Sequence, residues 1–236
     1  MALKILVILP CFNEADSIVS LLTELNDFRN SSQFQFDVIV INDCSKDETS
    51  NLVRECNNPV IDLPINLGIG GAMQTGYKYA LINDYDLAIQ MDGDGQHPPK
   101  ELRHLIEQYF STKENIIIGS RFINNQGFQS SFLRRVGINY FHWLNRIFTG
   151  NSIYDITSGF RLYDKKAIKY VASRFPDEYP EPESLILFAK EKFRIKEGPV
   201  LMRERQGGVS SITNFSQLYY MIKVTLAMIF SKIRKK

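Results

Sequence analysis

The sequence is poor in several features that would tie it to a common class. Three cysteines, Cys11, Cys44 and Cys56, among 236 residues are an odd count without the paired spacing of a zinc site, which argues against a disulfide framework and for reduced thiols. The three histidines, His97, His104 and His142, are scattered and form no metal cluster. Charge of one sign is also lacking. Against 28 Lys and Arg stand 26 Asp and Glu, a net charge of +2, so general nucleic-acid binding has no electrostatic basis. No uninterrupted apolar run approaches the ~20 residues of a membrane-spanning helix. The run Leu3–Leu9 stops at Pro10 and lacks a small-residue cleavage site, so it reads as a buried strand and not as a signal peptide. Nor does a repeat or a Pro/Gly/Ser-rich linker divide the chain. What remains is a globular composition, 44% hydrophobic and 23% charged, sufficient for one α/β domain with a full core.

The hydrophobic pattern alternates between two periods. Leu3–Leu9, Phe36–Ile41, Val60–Leu63, Asp86–Met91 and Asn115–Gly119 are short aliphatic runs of the kind a parallel sheet buries on both faces. Between them, Ala15–Phe28, Ser45–Cys56, Met73–Leu81 and Lys100–Phe110 carry apolar residues at helical spacing. Asn13 or Asp16 is expected to cap the first of these helices, and Ser45 with Glu48 has the spacing of a capping box for the second. Strand and helix thus alternate as in βαβ units. A polar loop over Asn124–Ser131 and an aromatic helix over Leu133–Phe148 follow.

The strongest chemical signal is Asp92-Gly93-Asp94, at the expected C-terminal end of a strand, where open parallel sheets place their ligands. Two carboxylates separated by glycine can converge on one hard cation, and Gln96 offers a further oxygen. Read alone, such a segment is more often a solvated turn. Asp43 stands at the same expected edge after another buried strand, where a carboxylate can accept hydrogen bonds from a base or ribose. Asn66-Leu67-Gly68-Ile69-Gly70-Gly71 does not fit the dinucleotide fingerprint and lacks the lysine of a P-loop. Its glycines suit close backbone approach instead. Arg121, Arg134, Arg135, Arg161 and Arg205 all fall in or near loops and element ends, and forked guanidinium groups suit diphosphate oxygens.

Taken together, Leu9-Pro10-Cys11-Phe12-Asn13-Glu14, Val40-Ile41-Asn42-Asp43, Asn66-Leu67-Gly68, Met91-Asp92-Gly93-Asp94-Gly95-Gln96-His97-Pro98, Gly119-Ser120-Arg121-Phe122 and Asp155–Tyr163 resemble, in order and spacing, the family 2 inverting glycosyltransferases, especially those that act on polyprenyl phosphates. The resemblance implies an α/β, GT-A fold with a Rossmann-like, mostly parallel central sheet flanked by helices. It also implies a UDP- or GDP-sugar donor and a Mg2+ or Mn2+ cofactor. Pro10, Phe12, Glu14 and Asp43 match nucleoside-holding positions. Asp92 matches a residue facing ribose and metal, and Asp94 and Gln96 match metal ligands. Arg121 and Arg205 match arginines at the phosphates, with Arg134 or Arg135 joining them. Glu183 resembles a glutamate preceding the helix after the acceptor region, a candidate base or a helix cap, with Glu181 second. One departure is Ser211 in place of the usual lysine of an Arg-x-x-Gly-x-Ser-Lys segment that begins here at Arg205.

The resemblance covers about the first 210 residues, which sets the expected division: a glycosyltransferase domain over 1–211 and an apolar, basic-ended tail over 212–236. That tail reads equally as an interfacial amphipathic helix on anionic lipid and as a core or partner-binding helix. The expected reaction is metal-dependent transfer of a hexose to a polyprenyl phosphate or lipid-linked saccharide by a cytoplasmic protein, peripheral at the cytoplasmic face of the membrane and working with a small membrane protein. The alternatives are transfer to a saccharide hydroxyl in cell-surface polysaccharide synthesis and a catalytically silent nucleotide-sugar-binding partner.

Overall fold

The computed structural model describes residues 3–123, 132–203 and 214–234. Seven strands and eight helices are described in the order β1 (Ile5–Cys11), α1 (Ala15–Ser31), β2 (Asp37–Asn42), α2 (Thr49–Glu55), β3 (Val60–Asp62), α3 (Gly68–Ile82), β4 (Leu87–Gln90), α4 (Leu102–Thr112), β5 (Ile116–Ser120), α5 (Phe132–Thr149), β6 (Arg161–Asp164), α6 (Lys165–Arg174), α7 (Pro180–Lys190), β7 (Ile195–Pro199) and α8 (Asn214–Ile233). They build one sheet of order β3-β2-β1-β4-β6-β5-β7. Only β6 runs antiparallel to its neighbours; the other described pairings are parallel.

The unbroken aliphatic character of β1 follows from its central place, with helices on both faces. Leu6 and Ile8 point into one core with α3, α6 and α7, whereas Ile5, Val7 and Leu9 point into the other with α1 and α4. Each such fully buried side chain contributes roughly 1.5–3 kcal/mol of transfer free energy, before conformational entropy is subtracted. Helix α3 can lie close on β1 because of Gly76: a Cβ there would sit 2.3 Å from Ile8 Cγ2. Gly70 lets the carbonyls of Pro176 and Asp177 approach the same helix in the same way, as expected of the glycines in this segment.

Register brings the chemistry to one edge. Cys11 pairs with Asn42 and Pro10 with Ile41, while Ile8 pairs with Gln90, so the segments leaving β1, β2 and β4 emerge together. The reversed β6 delivers its first residue to that edge, with Arg161 opposite Gln90.

Local expectations need three corrections. Neither Asn13 nor Asp16 caps α1, because Asn13 Oδ1 accepts instead from the Lys46 backbone N–H at 2.8 Å and Ser45 Oγ from the Asn13 N–H at 2.9 Å. The Ser45–Glu48 capping box therefore does not form; α2 begins at Thr49, whose N–H is taken by Asp47 Oδ1 at 3.1 Å. The α3 helix starts at Gly68, five residues before Met73, since close packing recruits the glycines that local propensity would leave outside.

Helix α8 joins the core through Val224 and Met228. Tyr140 of α5 and Thr225 share a hydrogen bond of 3.0 Å, and Lys190 of α7 donates to the carbonyls of Ser231 and Arg234. The opposite side is apolar but uncovered. Tyr219, Ile222, Leu226, Phe230 and Ile233 are all exposed, and at 100° per residue they form one stripe, flanked by Lys223 and Arg234. Among the described residues no helix is long and apolar enough to cross a membrane.

Candidate active site

Pro10, Phe12, Glu14, Asp43, Asp92, Asp94 and Gln96, all singled out in the sequence, line one pocket of about 240 Å³ at the strand ends. The two connecting loops after β1 and β2 are stitched together by the Asn13 and Ser45 bonds described above. Two more bonds extend the seam: the Glu14 N–H donates to Thr49 Oγ1 at 2.9 Å and the Ala15 N–H to Asp47 Oδ2 at 3.1 Å. Asp47 and Thr49 are thus architectural. Asp43 is buried, and its Oδ1 accepts the Leu67 N–H at 2.7 Å, while Asn66 Nδ2 donates to its carbonyl at 3.3 Å. The Asn66-Leu67 segment therefore fixes the Asp43 carboxylate at the pocket wall.

The Asp92–Gln96 loop is built around close approach. A Cβ on Gly93 would fall 2.5 Å from Cys11 Sγ, and the Gly93 carbonyl accepts from the buried Ser17 hydroxyl at 3.0 Å. Asp94 is only 3% exposed, and its Oδ1 accepts the Gln96 N–H at 2.9 Å. The Asp92 side chain is more open at 37% exposure, with Oδ2 3.7 Å from His97 Nε2. His97 is itself buried and stacks on Phe160 at 4.6 Å. Gly159 leaves room beside them, since a Cβ there would stand 3.0 Å from Asp92 Oδ1.

The electrostatics are one-sided. Burial pushes the Cys11 thiol far above its ordinary range, and the charges of Glu14, Asp92, Asp94 and Asp47 push it further. Among the described residues lining the pocket, none carries a positive charge. An anionic diphosphate cannot enter such a place without a cation. Asp92 and Asp94 supply the hard oxygen donors that Mg2+ or Mn2+ prefers, and two carboxylates leave coordination positions for water and substrate phosphate. The residues present therefore fit a divalent ion. No group of three or more acidic, histidine or cysteine side chains suited to a metal occurs among the described residues.

The remaining sequence candidates lie elsewhere. Arg121 follows β5 at the same edge, but its guanidinium is held by the fully buried Asp155 through bonds of 2.7 and 2.6 Å, with a third to Thr157. Arg161 is fully buried and donates to Ser158 O, Ser184 Oγ and Ile156 O, so it braces the loop before β6 and is not placed for a phosphate. Arg134 and Arg135 lie on α5, but their side chains, like the whole of Arg205, fall outside the described residues. Glu183 does not join the pocket. It lies inside α7, which begins at Pro180, and does not precede the helix as expected; its Oε1 accepts the Tyr179 N–H at 3.3 Å and its Oε2 the Ser231 hydroxyl of α8 at 2.7 Å.

Glu181, the second candidate, faces the other way, because residues two apart on a helix diverge by ~200°. Its Oε1 accepts from Gln90 Nε2 at 3.1 Å, and Gln90 in turn accepts from Tyr77. Burial pushes the Glu181 carboxyl above its usual range, with the nearby Arg161 opposing and Asp92 reinforcing the shift. Gln90 and Gly159 escaped the sequence reading; the signal available was a polar residue inside an aliphatic strand and a glycine inside the Asp155–Tyr163 segment.

The chain is similar to known proteins over most of its length. The family model described as Glycosyl transferase family 2 matches residues 6–171. An undecaprenyl-phosphate mannosyltransferase of Micrococcus luteus is 30% identical over 220 residues, covering 89% of this chain and 88% of that protein. A UDP-N-acetylglucosamine–dolichyl-phosphate N-acetylglucosaminyltransferase of Methanococcus voltae is 28% identical over 216 residues, covering 83% and 84%. Among solved structures, glucosyl-3-phosphoglycerate synthase of Mycobacterium tuberculosis, crystallised with Mn2+, UDP-glucose and phosphoglyceric acid, superposes with a TM-score of 0.73 over 99% of this chain and 81% of its own, at 16% identity. That likeness establishes the GT-A fold.

Proposed function

Because the chain belongs to glycosyl transferase family 2 and is a glycosyltransferase, we propose that it moves a hexose from a nucleotide-diphosphate sugar to a polyprenyl phosphate, with Mg2+ or Mn2+ held at Asp92 and Asp94. The observation that carries this reading is the pocket at the strand ends, rich in carboxylates and, among the described residues, lined by no cation. Asp43, fixed by Leu67, meets the nucleoside; Pro10 and Phe12 form the apolar side of its slot; Glu14 closes the acidic end. The bound ion supplies positive charge to the leaving diphosphate.

The acceptor oxygen forms its bond to the anomeric carbon as the bond to the diphosphate oxygen breaks, and the nucleoside diphosphate leaves with the electron pair, inverting the configuration. A phosphate acceptor is already an anion, so this route needs cations to position it and no general base. Arg121 stands at this edge after β5, and we propose that it supplies part of this charge, joined by Arg134 or Arg135 and by Arg205. The two relatives above, named for undecaprenyl and dolichyl phosphates, support a lipid phosphate acceptor. So does the exposed stripe on α8, whose flanking Lys223 and Arg234 suit an interfacial helix lying on anionic lipid. We assign the protein to the membrane surface on that basis.

A second reading, transfer to a saccharide hydroxyl, is favoured by one observation: Glu181 presents a carboxyl of raised pKa beside Gln90, near Asp92, as a base would. The two are separated by incubating the protein with radiolabelled UDP-glucose, UDP-N-acetylglucosamine or GDP-mannose, Mn2+ and vesicles containing undecaprenyl phosphate. Label in an acid-labile, solvent-extractable lipid supports the first reading. Label passing only to added oligosaccharides, and not to lipid, overturns it.

A further inference from the structure

Arg203 does not line the pocket, yet it donates two bonds to the loop that carries Asp94. Its Nε donates to the Gly95 carbonyl at 2.6 Å and its backbone N–H to the Gln96 carbonyl at 3.0 Å. Its Nη2 reaches across to Glu24 of α1 at 3.0 Å. The Gly95–Gln96 peptide is therefore held on both sides: its carbonyl accepts from Arg203 Nε, and its N–H is the one that donates to Asp94 Oδ1. Any shift of this peptide moves the bond that orients the Asp94 carboxylate.

The loop needs such an outside hold. Gly95 sits at φ +72°, a left-handed turn that glycine adopts without cost and from which it is equally free to depart. The segment bearing Arg203 is fixed independently of the loop. The Val200 N–H donates to the Ser120 carbonyl at 3.0 Å, and the Leu201 N–H to the buried Glu101 carboxylate at 3.1 Å. A charged fork anchored on the strand β7 side, braced by Glu24 on α1, thus sets the turn between the acidic residues and Gln96. Charge-assisted bonds of this geometry are among the stronger ones available to a partly exposed side chain.

We propose that Arg203 is a positioning residue for the divalent ion: it fixes the Gly95–Gln96 turn so that Asp94 is oriented before metal and nucleotide arrive. This rests on the metal reading of Asp92 and Asp94 given above. Outer-shell partners that orient ligands typically carry 10–100-fold in metal affinity, and the present case, acting through one peptide, is expected at the lower end.

The test is direct Mn2+ binding to the intact protein with saturating UDP, followed by the electron paramagnetic resonance signal of free Mn2+, for the wild type, D94N, R203M, R203K and E24Q. Wild-type binding lost in D94N establishes the metal reading on its own. Against that background R203M is expected to bind Mn2+ about 10-fold more weakly, with R203K recovering part of the loss and E24Q showing a smaller loss in the same direction. Urea midpoints are measured for each variant, because a general loss of structure would lower the midpoint and Mn2+ affinity together, with no recovery in R203K. Should R203M fail to fold, E24Q, which leaves Arg203 in place, carries the test. R203M and E24Q matching the wild type while D94N loses binding would overturn the positioning role and leave the metal reading standing; D94N binding as well as the wild type would overturn both.

Discussion

Gly93→Ala is the most demanding test of the pocket's geometry, because its cost can be worked out atom by atom. The added methyl would stand 2.5 Å from Cys11 Sγ, whereas ordinary contact begins near 3.4 Å, so loop and strand must part by about 0.9 Å. Neither side yields easily. Cys11 is buried at the end of β1, and the Gly93 carbonyl is tied to Ser17. Overpacking of this kind costs ~1–3 kcal/mol, and for a chain of this length each kcal/mol lowers the melting temperature by about 2–4 °C. The expected fall is thus roughly 2–12 °C by scanning calorimetry, accompanied by weaker Mn2+-dependent UDP binding, since the residues on either side are Asp92 and Asp94. The compensating change is Cys11→Ala. With the sulfur gone, the nearest remaining atoms are Pro10 O at 3.1 Å and Cys11 Cβ at 3.7 Å, so the double variant should regain most of the stability lost by G93A. A G93A protein as stable as wild type, or a C11A/G93A pair whose losses simply add, would refute the packing argument.

Three further outcomes follow from the same structure. Arg121→Ala should destabilise by about 3–5 kcal/mol in urea titrations, because it strands the fully buried Asp155 carboxylate; the R121A/D155A double variant should be less destabilised than R121A alone. Glu181, whose carboxyl is raised by burial above its unfolded value near 4.5, costs stability once ionised. Its penalty is absent below that unfolded value and grows as pH rises through the folded one, so E181Q should melt higher than wild type at pH 8, with the difference vanishing near pH 4. Replacing Leu226 and Phe230 of the exposed stripe by glutamate should leave the fold intact, since both side chains face away from Val224 and Met228, and should abolish sedimentation with phosphatidylglycerol vesicles; unchanged sedimentation would remove the stripe from the membrane account.

The pocket at the strand ends was legible because its residues lie within a few positions of those ends. Buried aliphatic runs fix where β1, β2 and β4 stop, and in a parallel sheet those stops share an edge, so Pro10, Asp43 and Asp92 converge without further information. The placement of the two candidate glutamates was not legible in the same way. Helix α7 places Glu181 and Glu183 on opposite sides, and which faces inward depends on helix rotation against β4 and α8, set by tertiary packing. Arg161 shows a related limit: its position near a loop suggested phosphate, whereas the antiparallel return of β6 buries it among carbonyls. Arg203 carried no local signal, since its partners Gly95 and Glu24 are distant in sequence and meet it only through the crossing from β7.

Asp92 and Asp94 are proposed to hold a divalent ion together with the nucleotide sugar. Calorimetric titration of the purified protein with UDP-glucose, UDP-N-acetylglucosamine and GDP-mannose, each with and without Mn2+ and against an Asp94→Ala control of unchanged melting behaviour, tests it most directly. Binding of one donor that requires Mn2+ and disappears in D94A is the predicted result. Donor binding that is indifferent to Mn2+ and survives in D94A would show that neither the ion nor Asp94 holds the nucleotide sugar.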